Sequence, residues 1–278
     1  MPSRPPWETS ERDTFRVRFD EDAQAYDRSR PVAPSYVFDE LLELAALHRG
    51  SAIVEVGPGT GQATRPLAER GLRILALEVG PHLAARARQN LAPFPDVEVV
   101  TTSYEAWDPG SARFGAVFAC NSFHWVDPAV RFHKSATALR PGGHLIVLAT
   151  PWVIPDDADR FWWDVQDDYV AVGGERIDPA TKHPDRIEDL GPAERASELF
   201  EEPTIRRYRF DVAFTAEDYA VNLSTQSGIK EFPPDARAEL ISRIRRRVLA
   251  RGGTVTAHLL AVLKVARLRN SATLAASR

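Results

Sequence analysis

The chain has 278 residues, 35 of them Lys or Arg and 39 Asp or Glu, for a formal net charge of −4. With 44% hydrophobic and 27% charged residues it can build one sizeable α/β core plus an inserted subdomain, and its charge balance makes no global electrostatic case for nucleic acid. The single cysteine, Cys120, excludes an intrachain disulfide and suits a reducing cytoplasm, and no stretch reaches the roughly 20 apolar residues of a membrane span.

Residues 1–18 are polar, rich in Pro, Arg and Glu, and lack the apolar run of a signal peptide; they are predicted to be a flexible leader. Phe19, Ala23 and Tyr26 are spaced for a short helix, punctuated by Pro31 and Pro34. Val37, Phe38, Leu41, Leu42 and Ala45 give 35–47 one apolar helical face, which stops near Gly50. An alternation follows. Residues 52–56 are an apolar run, then comes a Gly-rich turn and a helix over about 62–70 that Gly71 ends. Residues 73–78 are a second run, and Pro81 sits at the first position of a helix reaching about Leu91. Further runs lie at 97–100 and 115–119. Asp127 and Pro128 read as N-cap and N1 of a helix ending near Leu139. Residues 140–143 are a turn and 144–149 a fifth strand. Continuous apolar runs separated by helices specify a parallel sheet covered on both faces, doubly wound by right-handed crossovers. Ligands of such sheets bind beyond the carboxyl ends of the strands, here in the loops after Val56, Glu78, Val100 and Ala119.

After Thr150 the pattern breaks. Residues 151–203 hold Trp152, Trp162, Trp163 and Tyr169 among Asp156, Asp157, Asp159, Asp164, Asp167 and Asp168. They are predicted to be a helical insertion that caps a substrate pocket, its aspartates a solvated face. Whether the tryptophans line a pocket or build the subdomain core stays open at this point. Residues 204–212 are a strand, 217–223 a helix, 235–251 an amphipathic helix stopped by Gly252-Gly253, and 255–268 a long strand; 269–278 are a tail. The arginines at 243, 245, 246, 247 and 251 are expected on the solvated face of their helix rather than on nucleic acid. The predicted organisation is a core at 19–150 with an N-terminal helical lid, the insertion, and 204–268 completing a mostly parallel seven-stranded Rossmann-like sheet.

The most informative stretch is Val54-Glu55-Val56-Gly57-Pro58-Gly59-Thr60-Gly61. Three glycines follow an apolar strand and precede a helix, where a ligand can lie against the backbone. The spacing is G-x-G-x-G, whereas a dinucleotide fingerprint has G-x-G-x-x-G. Glu55 sits at the strand end, placed to bind a cation directly or through water. Glu78 ends the next strand, where a carboxylate can accept from both hydroxyls of a ribose.

These motifs resemble the class I S-adenosylmethionine-dependent methyltransferases, and more narrowly the small-molecule branch that includes trans-aconitate methyltransferases. The likeness is carried by residues 55–61, Leu77-Glu78, Ser103-Tyr104-Glu105, the segment 123–128 (Phe-His-Trp-Val-Asp-Pro), the segment 139–143 (Leu-Arg-Pro-Gly-Gly), and a Tyr-Asp pair ahead of Arg30-Pro31 that is similar to that branch's lid. The resemblance implies S-adenosylmethionine as cofactor. Gly57, Pro58, Gly59 and Gly61 would pass close to its methionine and ribose, with Glu55 beside them. Glu78 and Val79 would hold the ribose end, and Tyr104 would pack on the adenine. Ser103 stands where many relatives carry an aspartate toward the adenine amino group. Asn121 would contact the methionine part, and Tyr26 and Arg30 would close over it.

His124, just past the fourth strand, is the candidate catalytic residue, because imidazole titrates in the useful range; the alternative is that it shapes its loop. No metal site is expected. The expected activity is methyl transfer to a small-molecule acceptor, on oxygen, without nucleic-acid or membrane partners and with the oligomeric state open. Two alternatives stay beside it: a protein of the same fold that binds the cofactor without transferring from it, and a nicotinamide-dependent oxidoreductase, which the glycine spacing disfavours.

Overall fold

The computed structural model describes residues 20, 22–111, 113–189 and 198–270. The expected leader lies outside them, as does the tail from residue 271.

The alternating runs form β1 (Ala52–Val56), β2 (Arg73–Glu78), β3 (Val97–Thr101), β4 (Phe114–Cys120) and β5 (Leu139–Ala149). All pair in parallel, in the order β3-β2-β1-β4-β5. The helices between them are α1 (Ala23–Ser29) and α2 (Ser35–Leu44) ahead of β1, α3 (Thr64–Glu69), α4 (Pro81–Leu91) and α5 (Arg131–Ala138). The central strands β1 and β4 bury both faces, whereas β3, at the edge of the sheet, is only half-buried. In β4, Ala116 and Phe118 join one apolar cluster with Phe38, Leu41 and Leu67; Val117 and Ala119 join the opposite one with Val54, Val56 and Leu145. That double burial is why the strands read as unbroken apolar runs.

Two sequence expectations shift here. Asp127 and Pro128 do not begin α5. Asp127 instead caps a turn, accepting from Ala129 N at 2.9 Å, and the helix starts at Arg131. The Arg-Pro-Gly-Gly segment lies inside β5, which shifts register against β4 between Phe114 and Ala116.

Beyond β5 the sheet turns antiparallel. The chain re-pairs as β6 (Trp152–Val153), and the long strands β7 (Thr204–Thr215) and β8 (Thr254–Arg267) finish it. β8 pairs with β7 along one edge; along the other it meets β5 and then β6. The described sheet therefore has eight strands. The extra one relative to expectation is the two-residue β6, too short to leave a periodic signal. The insertion contributes short helices, α6 (Phe161–Asp164) and α7 (Gln166–Ala171). α8 (Ala216–Ser224), α9 (Ser227–Lys230) and α10 (Pro234–Ala250) follow β7. Phe161, Trp162, Tyr219, Leu223, Leu240, Ile244 and Leu259 form a separate core under this half.

The two charge clusters lie largely on the surface, as expected, but they also meet each other, and Asp168 is buried between them. Arg247 reaches Asp168 at 2.6 and 3.1 Å, and Arg251 bridges Asp159 at 2.6 Å and Asp164 at 3.1 Å. Arg245 pairs with Glu217 and Asp167 with Arg176. Among the described residues no helix is long and apolar enough to cross a membrane, and no cluster of three or more metal-ligating side chains occurs.

Candidate functional site

A cavity of about 570 Å³ opens at the carboxyl ends of the parallel strands. Tyr26, Arg30, Glu55, Gly57, Pro58, Gly59, Glu78, Val79, Ser103, Tyr104, Asn121 and His124 all line it. Gly61 does not. At φ +98° it faces α4, and a Cβ there would meet the Leu91 side chain at 3.1 Å, so this glycine lets the loop pack on a helix rather than on a ligand.

The loop after β1 is held open by its glycines. Gly57 and Gly59 have φ of +65° and +61°, a region that L side chains enter only at a cost. A Cβ at Gly57 would lie 2.8 Å from Ser122 Cβ, and one at Gly59 would lie 3.2 Å from the Tyr26 ring. Ser122 donates its hydroxyl to the Val56 carbonyl and fastens the loop after β4 to β1. Asn121, also at positive φ (53°), exchanges hydrogen bonds with Thr150 at 2.7 and 2.8 Å.

Glu78 is buried. Its carboxylate accepts from Gly59 N and Gly80 N, each at 2.9 Å. Burial pushes its pKa up to about 6 against the pull of those two amides. Glu55 is fully buried, and neither of its oxygens has a hydrogen-bond partner. Burial pushes it up to about 8, with the nearby Glu78 charge adding to the rise and the Thr64 hydroxyl opposing it. Burial also pushes the neighbouring Cys120 thiol up to about 12, which leaves it an unreactive wall.

The opposite side of the cavity is closed by α1. Arg30 Nη2 donates to the Thr225 carbonyl at 2.8 Å, its guanidinium lies 4.9 Å from the centre of the Tyr26 ring, and its Nε is buried without a hydrogen-bond partner. Asp27 ties the same helix to the floor, accepting from Thr60 Oγ1 (2.8 Å), Asn90 Nδ2 (2.7 Å) and Arg86 Nε (2.9 Å). Asp20 caps α4, accepting from Leu83 N at 2.7 Å. Asn222 donates to the Ser29 carbonyl from α8. Of these anchors only Asp27 had a sequence signal, as the second half of the Tyr-Asp pair. Asp20, Asn90, Asn222 and Thr225 belong to contacts made over long sequence separations.

At the β2–β3 end, the Ser103 hydroxyl accepts from Ala106 N at 3.1 Å and shapes the turn that Tyr104 begins. Tyr104 stacks on Trp107 and its hydroxyl bonds Ser135, so it presents a ring rather than a phenol to the cavity. Lys134 fastens this turn by donating to the carbonyls of Tyr104, Glu105 and Trp107 at 2.6 to 3.0 Å. At the β5–β8 end stand His124, Trp125, Thr150, Trp152, Gln226 and Leu259. Burial, then the charges of Arg131 and Lys264, holds His124 down at about 4, so its imidazole is neutral at neutral pH. Trp152 lines the cavity, whereas Trp162 and Trp163 pack in the subdomain core.

Residues 54–147 match the family model described as a methyltransferase domain. Over that segment the chain is similar to methyltransferase domains. Over 137 residues it is 33% identical to an uncharacterized methyltransferase of Mycobacterium tuberculosis strain H37Rv, covering 49% of this chain and 54% of that protein. Demethylmenaquinone methyltransferase of Tropheryma whipplei strain Twist is 29% identical over 139 residues, 48% of this chain and 57% of that protein. The chain thus spans about half the length of the curated relatives it matches, and shorter stretches also match ribosomal RNA methyltransferases. A solved structure from Anaeromyxobacter dehalogenans, provisionally classed as a type II methyltransferase, shares the fold with a TM-score of 0.60 at 19% identity, over 86% of this chain and 97% of that one.

The cofactor of a class I methyltransferase domain is S-adenosylmethionine, and the residues present fit it. Its methionine part carries one ammonium and one carboxylate. The cavity walls hold the buried carboxyl of Glu55, with both oxygens unpartnered, and the half-buried guanidinium of Arg30, whose Nε is unpartnered. Burying such groups unpaired is costly, so a ligand that brings both opposite charges relieves the cost.

Proposed function

We propose that the protein transfers a methyl group from S-adenosylmethionine to an oxygen of a small-molecule acceptor. The carrying observation is that one cavity joins the glycine loop, Glu55, Glu78 and Arg30 to a second, largely neutral wall around His124 and Trp152. Bound S-adenosylmethionine supplies an electrophilic methyl on a cationic sulfur, and displacement leaves a neutral thioether. The protein's task is then alignment and exclusion of water. Glu55 and Arg30 would bind the two charges of the methionine part, and Glu78 would accept from the ribose hydroxyls with the lone pairs its two amide bonds leave. Tyr26 and α1 cover the loop from above. His124 is neutral and on the wall, so it can accept the proton of a hydroxyl. An oxygen that is being methylated becomes strongly acidic, and a weak base is enough for it. The cavity, roofed by α1 and by the α8–α9 junction, supports a small acceptor over a macromolecular one.

Calorimetric titration with S-adenosylmethionine, S-adenosylhomocysteine and NAD(H) tests this reading. Binding of the two adenosyl ligands alone is expected, with Glu78→Ala weakening it by about 1–3 kcal/mol. Methyl-labelled cofactor then reports transfer. NAD(H) binding, or no binding, overturns the reading; tight binding with no transfer to any acceptor favours the cofactor-holding alternative, and transfer to RNA overturns the small-molecule part.

A further inference from the structure

The acceptor half of the cavity has a chemical character that its cofactor half lacks. Arg30 is the single Lys or Arg among the described lining residues, and the cofactor's carboxylate accounts for it. Two carboxyl groups, Glu55 and Glu78, also face the cavity. Arg131 and Lys264 stand close enough to depress His124 but do not line the cavity. A polycarboxylate acceptor would therefore enter with no cation left to receive it.

What that end does offer is flat and rigid. Trp152 stacks on Phe214, with ring centres 6.0 Å apart and planes 18° apart, and makes edge or tilted contacts with Trp162 and Tyr219. Four aromatic rings thus fix one wall. Leu259 and Trp125 add apolar surface, and Gln226, Thr150 and Asn121 supply neutral hydrogen-bonding groups. Ring against ring is the geometry in which such a wall gains most, and an immobilised ring loses little freedom on binding.

We infer that the acceptor is an uncharged, flat, ring-bearing hydroxyl compound, of the phenol or enol class, with Trp152 as the platform that sets this specificity. The inference rests on the methyl-transfer reading above. In the reaction the sulfur–methyl bond breaks with its electron pair going to sulfur, an oxygen–methyl bond forms, and the hydroxyl proton passes to His124 and then to solvent.

The test uses the full chain saturated with S-adenosylhomocysteine, so that cofactor binding is measured first and separately. Failure of that first titration counts against the methyl-transfer reading itself. On the saturated protein, 2-naphthol is expected to bind with quenching of tryptophan fluorescence, and trans-aconitate is not. Trp152→Leu is expected to weaken 2-naphthol by about tenfold while Trp152→Phe restores most of it, both with S-adenosylhomocysteine affinity unchanged, which shows that the fold is kept. The inference is overturned by binding of trans-aconitate in preference to 2-naphthol, by no binding of 2-naphthol, or by binding that is indifferent to the loss of the ring at 152.

Discussion

Asp27 on the lid helix accepts a hydrogen bond from the hydroxyl of Thr60 in the glycine loop at 2.8 Å, so the element that covers the cofactor site is bonded to the element that cradles it. The same carboxylate holds Asn90 and Arg86 of α4. Three strands of contact converge on one side chain that is one-fifth exposed. Asp27→Ala leaves the Thr60 hydroxyl and the Asn90 amide short of an acceptor, and it is expected to cost about 1–3 kcal/mol of stability. Affinity for S-adenosylhomocysteine should fall with it, because the loop and its cover lose their link. Thermal melts with and without the ligand check both parts: a ligand-induced rise in Tm as large as that of the wild type would show that Asp27 stabilises the fold and nothing more.

Glu55 makes the protein sensitive to pH in a stated direction. Its folded pKa is raised from the ordinary 4.5 to about 8. Below about 4.5 the folded and unfolded chains both hold the proton, and nothing is lost. Between there and about 8 the unfolded chain releases the proton while buried Glu55 keeps it, so stability falls as pH rises, and above about 8 the loss is constant. Glu55→Gln should therefore be more stable than the wild type at pH 8 and indistinguishable from it at pH 4. A cation beside Glu55 lowers its pKa, so binding S-adenosylmethionine at pH 7.5, where Glu78 is already ionised, should release a proton. Calorimetry in buffers of different ionisation enthalpy reads that proton directly. The Gln variant should release none and bind about 10–100-fold more weakly.

How much of this was legible in the sequence depends on range. The succession of the runs that form β1 to β4, the glycine loop and the strand-end Glu78 were readable because each is a local pattern: apolar runs, a turn and a strand end within a few residues. Gly61 looked equivalent to Gly57 and Gly59 by spacing alone, and only the packing of Leu91 separates it from them. The α5 start was misplaced because Asp-Pro signals a turn as readily as a helix, and the turn came first. The arginine and aspartate clusters were each read as solvated because nothing local shows that α10 lies beside α6 and α7. Gln226, Thr225 and Asn222 reach the site from a helix nearly 200 residues beyond the lid, a distance over which periodicity carries no information.

Gly59→Val separates cofactor space from backbone strain. Loss of cofactor space alone would remove binding with little effect on the fold. The structure adds a cost, since Gly59 has φ +61° and any Cβ there sits 3.2 Å from the Tyr26 ring. Binding should be abolished, and stability should also fall, by roughly 1–2 kcal/mol for a β-branched residue forced into the left-handed region. Gly59→Val in a Tyr26→Ala background relieves the ring contact and leaves the φ strain. If the double variant binds S-adenosylhomocysteine normally, the ligand does not lie against Gly59.

Asp168 is 3% exposed overall and sits between Arg243 at 3.3 Å and Arg247 at 2.6 Å, joining α7 to α10. Asp168 is buried while its two arginines keep about a third of their surface in solvent, so its loss removes their shared partner but leaves their charges partly hydrated. Asp168→Ala is expected to destabilise the fold by about 1–3 kcal/mol. Replacing all three, Asp168→Leu with Arg243→Met and Arg247→Met, removes the charges left without that partner and should recover most of that loss. The cluster lies away from the cofactor half of the cavity, so the triple variant should bind S-adenosylhomocysteine as the wild type does. Denaturant melts of the single and triple variants decide the matter: equal losses would mean that Asp168 matters through its packing and its place on α7 rather than through the charges it balances.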